Sequence, residues 1–352
     1  MKRRSGIELL RIILLVCLVF YHAIDKEIYL KDPTLYSIKS LSQISVDTFI
    51  LITGYFSYGK TTFRAYKFYK WMIFVGIAVM ILSMAFMIPV WSKKSIVWWA
   101  SLLPISLLTG DLNWYLISLL VIYIFSPLIA KPFSNLKRWH QTGILSLLFV
   151  GTFLAVITRF AELPRLENYI WYSRSVSSTW LFVLFVFGMW LKELKFKKTF
   201  LLIVSILGYG LLSTNIALHF TGNDDIIKYS YGCLNITHKS LIVTFMSLST
   251  FCIFNWYVNF DSKILSKTGK WFRLVYPVHF VFLVFLHTGG FLNGIQNDIA
   301  KVFAIAITAT ALSFIASFLF LPLNNLYDKY FEKAENKLKT WYLQKKVKKQ
   351  SK

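Results

Sequence analysis

Charge is scarce in this chain. Only 16% of its 352 residues are Asp, Glu, Lys or Arg, where an ordinary soluble protein carries about 25%. Acid is the scarcer sign: 16 acidic residues stand against 39 basic ones, a formal net charge of +23. Cysteine is rarer still. Cys17 and Cys252 lie in apolar runs and Cys233 stands alone, which leaves no disulfide framework, CxxC pair or metal spacing. Walker A, GxGxxG, HExxH and GxSxG patterns are missing, so the chain has no recognisable phosphate loop, zincin site or nucleophile elbow. Neither the periodic arginines of a voltage sensor nor the inverted repeat of many transporters is evident.

Apolar residues fill the space that charge leaves. The chain is 56% hydrophobic and 18% aromatic, with a mean hydropathy of +0.56. Its apolar runs approach the ~20 residues that cross a bilayer. The expected fold is all-α, a polytopic transmembrane helical bundle, because only helices and closed barrels satisfy their own backbone in lipid. About ten spans are predicted, at 6–25, 41–58, 71–91, 114–130, 142–160, 178–191, 199–218, 239–258, 273–288 and 302–322. The apolar segment 95–108, interrupted by Pro104, reads as a helix lying in the interface. The opening MKRR resembles a signal peptide, but Glu8 and Arg11 interrupt the apolar run and no small-x-small site follows. It reads as a retained first helix. The division is a transmembrane unit, 1–323, and a basic tail, 324–352.

The basic residues fall between the runs. With both termini cytoplasmic, the segments assigned inside hold 27 Lys and Arg against 11 in the outer loops, as the positive-inside rule requires. That distribution turns the net charge away from nucleic acid and towards a cell membrane, multi-pass. The Lys-rich tail is also placed to meet anionic headgroups.

A few ionisable residues sit within the runs. Arg11 and His22 are eleven residues apart in RIILLVCLVFYH, three helical turns, so both lie on one stripe roughly 16 Å apart. Glu8 is one turn before Arg11. A charge near the bilayer centre costs at least ~2.5 kcal/mol, so such a stripe must face protein or water. Span two carries Asp47 at a depth similar to that of His22, where a carboxylate can fix an imidazole's tautomer and stabilise its protonated form. The plainer reading is headgroup hydrogen bonding by His22 and helix capping by Asp47. Span nine carries His279 mid-run with Tyr276 one turn earlier; it is either a buried histidine satisfied by a neighbour or a functional one. Asp111, Asn113 and Trp114 open span four, as cap and aromatic belt or as substrate contacts. Lys60, Arg64, Lys67 and Lys70 gather in an inner loop. Arg64 and Lys67, one turn apart if the loop is helical, suit an anionic ligand from the cytosol, while charge alone favours ordinary positive-inside placement.

These residues, taken in order, resemble the acyltransferase 3 family of integral membrane acyltransferases. GIELLR followed by Arg11-x10-His22 has the look of its first span, and SVDTFILITGYF of its second, with Gly54 and Tyr55 retained, Thr53 where Ser is usual and Ser45 where Gly is. The family's RxxR appears as Arg64 to Lys67, the second arginine replaced. DLNWYLISLLVIYIFSPLI and WFRLVYPVHF are similar to two later segments. The appended hydrolase-like domain of some members is missing, as in a stand-alone membrane unit. The resemblance implies transfer of an acyl group, commonly acetyl, from cytosolic acyl-CoA to a hydroxyl of an exported or surface polysaccharide at the bacterial cytoplasmic membrane. No metal cofactor is expected. It implies Arg64 and Lys67 on the CoA phosphates and Arg11 on the thioester or pantetheine arm. His22 with Asp47 is the catalytic pair, His22 acting as base or transient acyl carrier. Glu8, Tyr276, His279, Trp114 and Asn113 are implied as substrate contacts. The rivals are a polytopic flippase or transporter and a polymerase of lipid-linked saccharides.

Overall fold

The computed structural model describes residues 5–24, 32–61, 65–91, 114–160, 178–221, 241–268, 272–290, 292 and 294–350. Every regular element among them is helical. The helices are α1 (Ser5–Ala23), α2 (Pro33–Ser42), α3 (Ile44–Ser57), α4 (Ala65–Trp91), α5 (Trp114–Asn135) and α6 (Arg138–Phe160). They continue with α7 (Ser178–Trp190), α8 (Lys198–Phe220), α9 (Leu241–Trp256), α10 (Lys263–Thr268), α11 (Phe272–Thr288) and α12 (Asp298–Gln350). Within α1, α4, α5, α8 and α12 lie five segments long and apolar enough to cross a membrane, and the apolar helices Ile242–Trp256 and Leu274–Thr288 are shorter. The interfacial segment 95–108 lies outside the described residues.

A helix lies at each predicted span, with two differences. The second span is shorter than expected, because the chain turns at Gln43 and Pro33–Ser42 forms a helix of its own. Asp32 caps it, accepting from the N–H groups of Thr34 and Leu35 at 2.8 and 3.0 Å, with Pro33 in the first turn. Its missing N–H and fixed φ suit that position. The second difference is α12, which runs unbroken through the boundary drawn at 323/324. Pro322 does not end it. Past that proline, Lys70 meets the Asp328 carboxylate at 2.9 Å, and the Phe74 and Tyr327 rings touch. Lys70, grouped with the cationic loop by sequence, is therefore buried and paired.

Contacts at the helix ends sort the chain into two groups. At one end Ser5 accepts from the Ser262 N–H at 2.8 Å, the Tyr257 hydroxyl donates to the Phe196 carbonyl, and Tyr58 donates to Glu193. Burial and that carboxylate both hold the Tyr58 hydroxyl above its usual pKa, so it stays a donor. At the other end Lys39 reaches the Ile24 carbonyl, and Tyr36 stacks on His219 at 4.4 Å. Alternate ends of successive helices fall together among these contacts.

α1 touches α2, α3, α9, α10, α11 and α12. Its lower residues Ile7, Leu10, Leu14 and Leu18 belong to the apolar core that includes α3, α7 and α9. Val19, Ala23 and Ile24 belong to the second core, with α4, α11 and α12. The helix is the seam between two packed halves. α12 comes close to α11 because Ala306, Ala309, Ser313 and Ala316 make a buried stripe of small residues, the usual means of close approach where lipid removes the hydrophobic drive between helices.

The α3–α7 crossing is tighter. A Cβ at Gly54 would fall on the Phe185 carbonyl oxygen, and one at Gly188 on the Leu51 carbonyl. Both obstacles are backbone, so neither can swing aside. Gly54→Ala is expected to force the helices apart at a cost of about 1–3 kcal/mol, read as reduced accumulation and a lower unfolding temperature in detergent. Unchanged accumulation and midpoint would show the crossing to be looser.

Candidate functional site

The ionisable stripe of α1 begins with an ion pair. Arg11 donates to the Glu8 carboxylate at 2.6 Å, and Glu8 is almost wholly buried while about a third of the Arg11 side chain (32%) remains exposed. The pair is one turn apart on one helix, so the backbone fixes its geometry. Between Arg11 and His22 the same stripe is filled by Leu15 and Leu18, both buried. The polar ends are thus separated by an apolar stretch along α1 itself.

α11 packs on α1, and α5 meets α11 in turn. Tyr115 is buried in the first turn of α5. Its ring lies 5.0 Å from that of Tyr276 on α11. Tyr276 in turn is 5.9 Å from His279, and the His279 ring faces His22 across the α1–α11 interface at 5.5 Å, tilted 35°. Phe280 and Tyr21 present edges to His22 from either side. Tyr115, Tyr276, His279 and His22 therefore form one polar file through three helices, with the Glu8–Arg11 pair lower on α1.

Two features orient its upper end. His279 is buried, and its Nδ1 is hydrogen-bonded to the Tyr276 carbonyl one turn before it. A carbonyl only accepts, so Nδ1 carries the proton and a neutral ring presents Nε2 as a lone pair. Pro277 lies between them and supplies no N–H to the carbonyl four residues before it.

The other residues named from sequence divide clearly. Asp47 is fully buried in the first turn of α3, in the half of the bundle away from Ser5, with the Trp180 indole of α7 turned to it. Lys67 is exposed in the first turn of α4, at the Ser5 end. Trp114 begins α5; Arg64 and Asn113 lie outside the described residues. Tyr115 was not among the sequence candidates, although it directly follows Trp114. Its signal is a phenol at the start of an apolar run, where a buried hydroxyl needs a partner. Among the described residues, no group of three His, Cys, Asp or Glu side chains is placed to hold a metal ion.

A family model described as an acyltransferase domain, that of the acyltransferase 3 family, matches residues 4–320. Comparison with curated proteins and with solved structures returned no match. The matched stretch takes in every helix that contributes to the polar file and leaves out only the end of α12. With nearly its whole length matched and an all-helical fold carrying membrane-length apolar helices, the chain belongs to the acyltransferase 3 family of membrane acyltransferases.

Proposed function

We propose that this protein takes an acyl group, acetyl in the first instance, from acyl-CoA on the cytosolic side of the bacterial cytoplasmic membrane and gives it to a hydroxyl of a cell-surface or exported polysaccharide. The observation that carries the proposal is polar groups towards both ends of α1: the Glu8–Arg11 pair near Ser5 and, towards the other end, two facing imidazoles continued by two tyrosines. A reaction with a charged, water-soluble donor on one side and a polar acceptor on the other needs such groups at both depths. Lys67, with Arg64 beside it in sequence, takes the CoA phosphates. Arg11, held by Glu8, steadies the thioester arm. His22 accepts the proton of the acceptor hydroxyl. Asp47, in the same half of the bundle as His22, stabilises the imidazolium field. Asn113, Trp114 and Tyr276 contact the substrates.

The test is transfer of label from [14C]acetyl-CoA into saccharide in membrane vesicles that carry the protein together with the native envelope glycan. Labelled saccharide above the level in vesicles lacking the protein is the expected result. Movement or polymerisation of lipid-linked saccharide without label transfer would replace this reading with the flippase or polymerase.

A further inference from the structure

Acyl transfer moves one proton. It leaves the acceptor hydroxyl as the C–O bond forms, and it must reach the CoA sulfur as the C–S bond breaks. His22, half-buried near the end of α1, answers for the first of these events. The described residues bring one further imidazole to it.

His279 has three properties that suit the second event. It continues the polar file from His22 towards Tyr276 and Tyr115, the file on which the acyl-transfer reading rests. Its Nδ1–H is committed to the Tyr276 carbonyl, so the ring is held in one tautomer and one orientation. Its Nε2 is buried and has no hydrogen-bond partner among the described residues. A buried nitrogen lone pair left without a donor costs about 1–3 kcal/mol, and buried polar groups are otherwise almost always satisfied. A group that comes and goes with the reaction accounts for that cost.

We infer that His279 is a second catalytic residue, which receives the proton from His22 and delivers it through Nε2 to the departing thiolate. The acceptor oxygen loses its proton to His22, and the new ester bond forms while the thioester bond breaks. The His22 imidazolium passes the proton to His279 Nε2, and the sulfur takes it, leaving both rings neutral. The inference rests on the acyl-transfer reading above.

His279→Asn separates the proton-carrying role from the structural one. The Asn amide keeps an N–H near the position of Nδ1–H, for the Tyr276 carbonyl, and removes the basic Nε2. In the vesicle assay, at matched protein abundance, kcat with acetyl-CoA is expected to fall by ~10²-fold or more with KM for acetyl-CoA unchanged. The loss should shrink to a few-fold when the donor is an acetyl aryl thioester, whose thiol leaves as a stable anion without protonation. A merely structural histidine would give equal losses with both donors, and that result overturns the inference, as does a variant within two-fold of wild type. His279→Gln, which retains an amide nearer the Nε2 position, serves if the Asn variant accumulates poorly, with the same two-donor comparison. A wild type that transfers no acyl group sinks the acyl-transfer reading and this inference together, whereas an active wild type with an unaffected variant sinks this inference alone.

Discussion

His22→Ala is expected to lower acyl transfer by ~10²–10⁴-fold, the contribution ordinarily made by a positioned general base, while the protein accumulates normally. The structural loss is small because His22 is half-buried and its described ring contacts are edges and a tilted face from Tyr21, Phe280 and His279. Each such contact is worth only about 0.5–1.5 kcal/mol. The measurement is label transfer from acetyl-CoA at matched abundance, with Gly54→Ala as the control whose activity should follow its abundance. Undiminished transfer would remove His22 from the mechanism. The same labelled donor, supplied without acceptor and quenched in acid, distinguishes the two chemistries open to this ring. Label retained on wild-type protein and absent from His22→Ala marks an acyl-imidazole intermediate. Label on neither marks direct transfer with His22 as base.

The helices of this fold were legible because lipid simplifies the code. An apolar run of membrane length between charged segments has few alternatives, and a helix lies at each predicted span. What escaped was the exception to hydropathy. α2 lies in a segment polar enough to pass for an outer loop, yet Asp32 and Pro33 are a plain start signal. Leu35 beneath them is fully buried. Continuation of α12 through Pro322 was also unreadable from composition. It depends on the Lys70–Asp328 contact, which joins residues from distant parts of the chain.

The candidate site was legible along a helix and not between helices. Glu8 and Arg11 meet because one turn of α1 brings them together. Helical periodicity likewise puts His22 on the Arg11 stripe. Equal depth is the argument for pairing His22 with Asp47, and depth says nothing of the further neighbours, which depend on the angle around the bundle. That angle is set by which helix packs where: α11 against α1 brings His279 to His22, and α7 against α3 brings Trp180 to Asp47. Small residues decide those neighbours, Gly54 and Gly188 on one side and the Ala and Ser stripe of α12 on the other. They carry no chemistry and so draw no notice in a search for reactive groups. Tyr115 was passed over for the same reason, since its importance lies in standing beside Tyr276.

The Glu8–Arg11 pair gives the second large effect, and a double substitution separates its two roles. Removing one member of a buried ion pair costs about 3–5 kcal/mol. Arg11→Gln leaves the buried Glu8 carboxylate without its guanidinium and falls within that range, whereas Glu8→Gln leaves a guanidinium that is about a third (32%) exposed and costs less. Glu8→Gln combined with Arg11→Gln leaves two neutral side chains that can still hydrogen-bond one turn apart. The double variant is therefore expected to unfold in detergent at a higher temperature than Arg11→Gln alone, close to wild type. Its use of acetyl-CoA should not recover, staying at least ~10-fold below wild type, because losing a charged group that holds the donor costs roughly 1.4 kcal/mol or more. Stability restored together with activity would confine Arg11 to a structural role and leave the donor arm to Lys67 and Arg64. Stability restored without activity assigns the guanidinium to the donor, with Glu8 as the group that aims it.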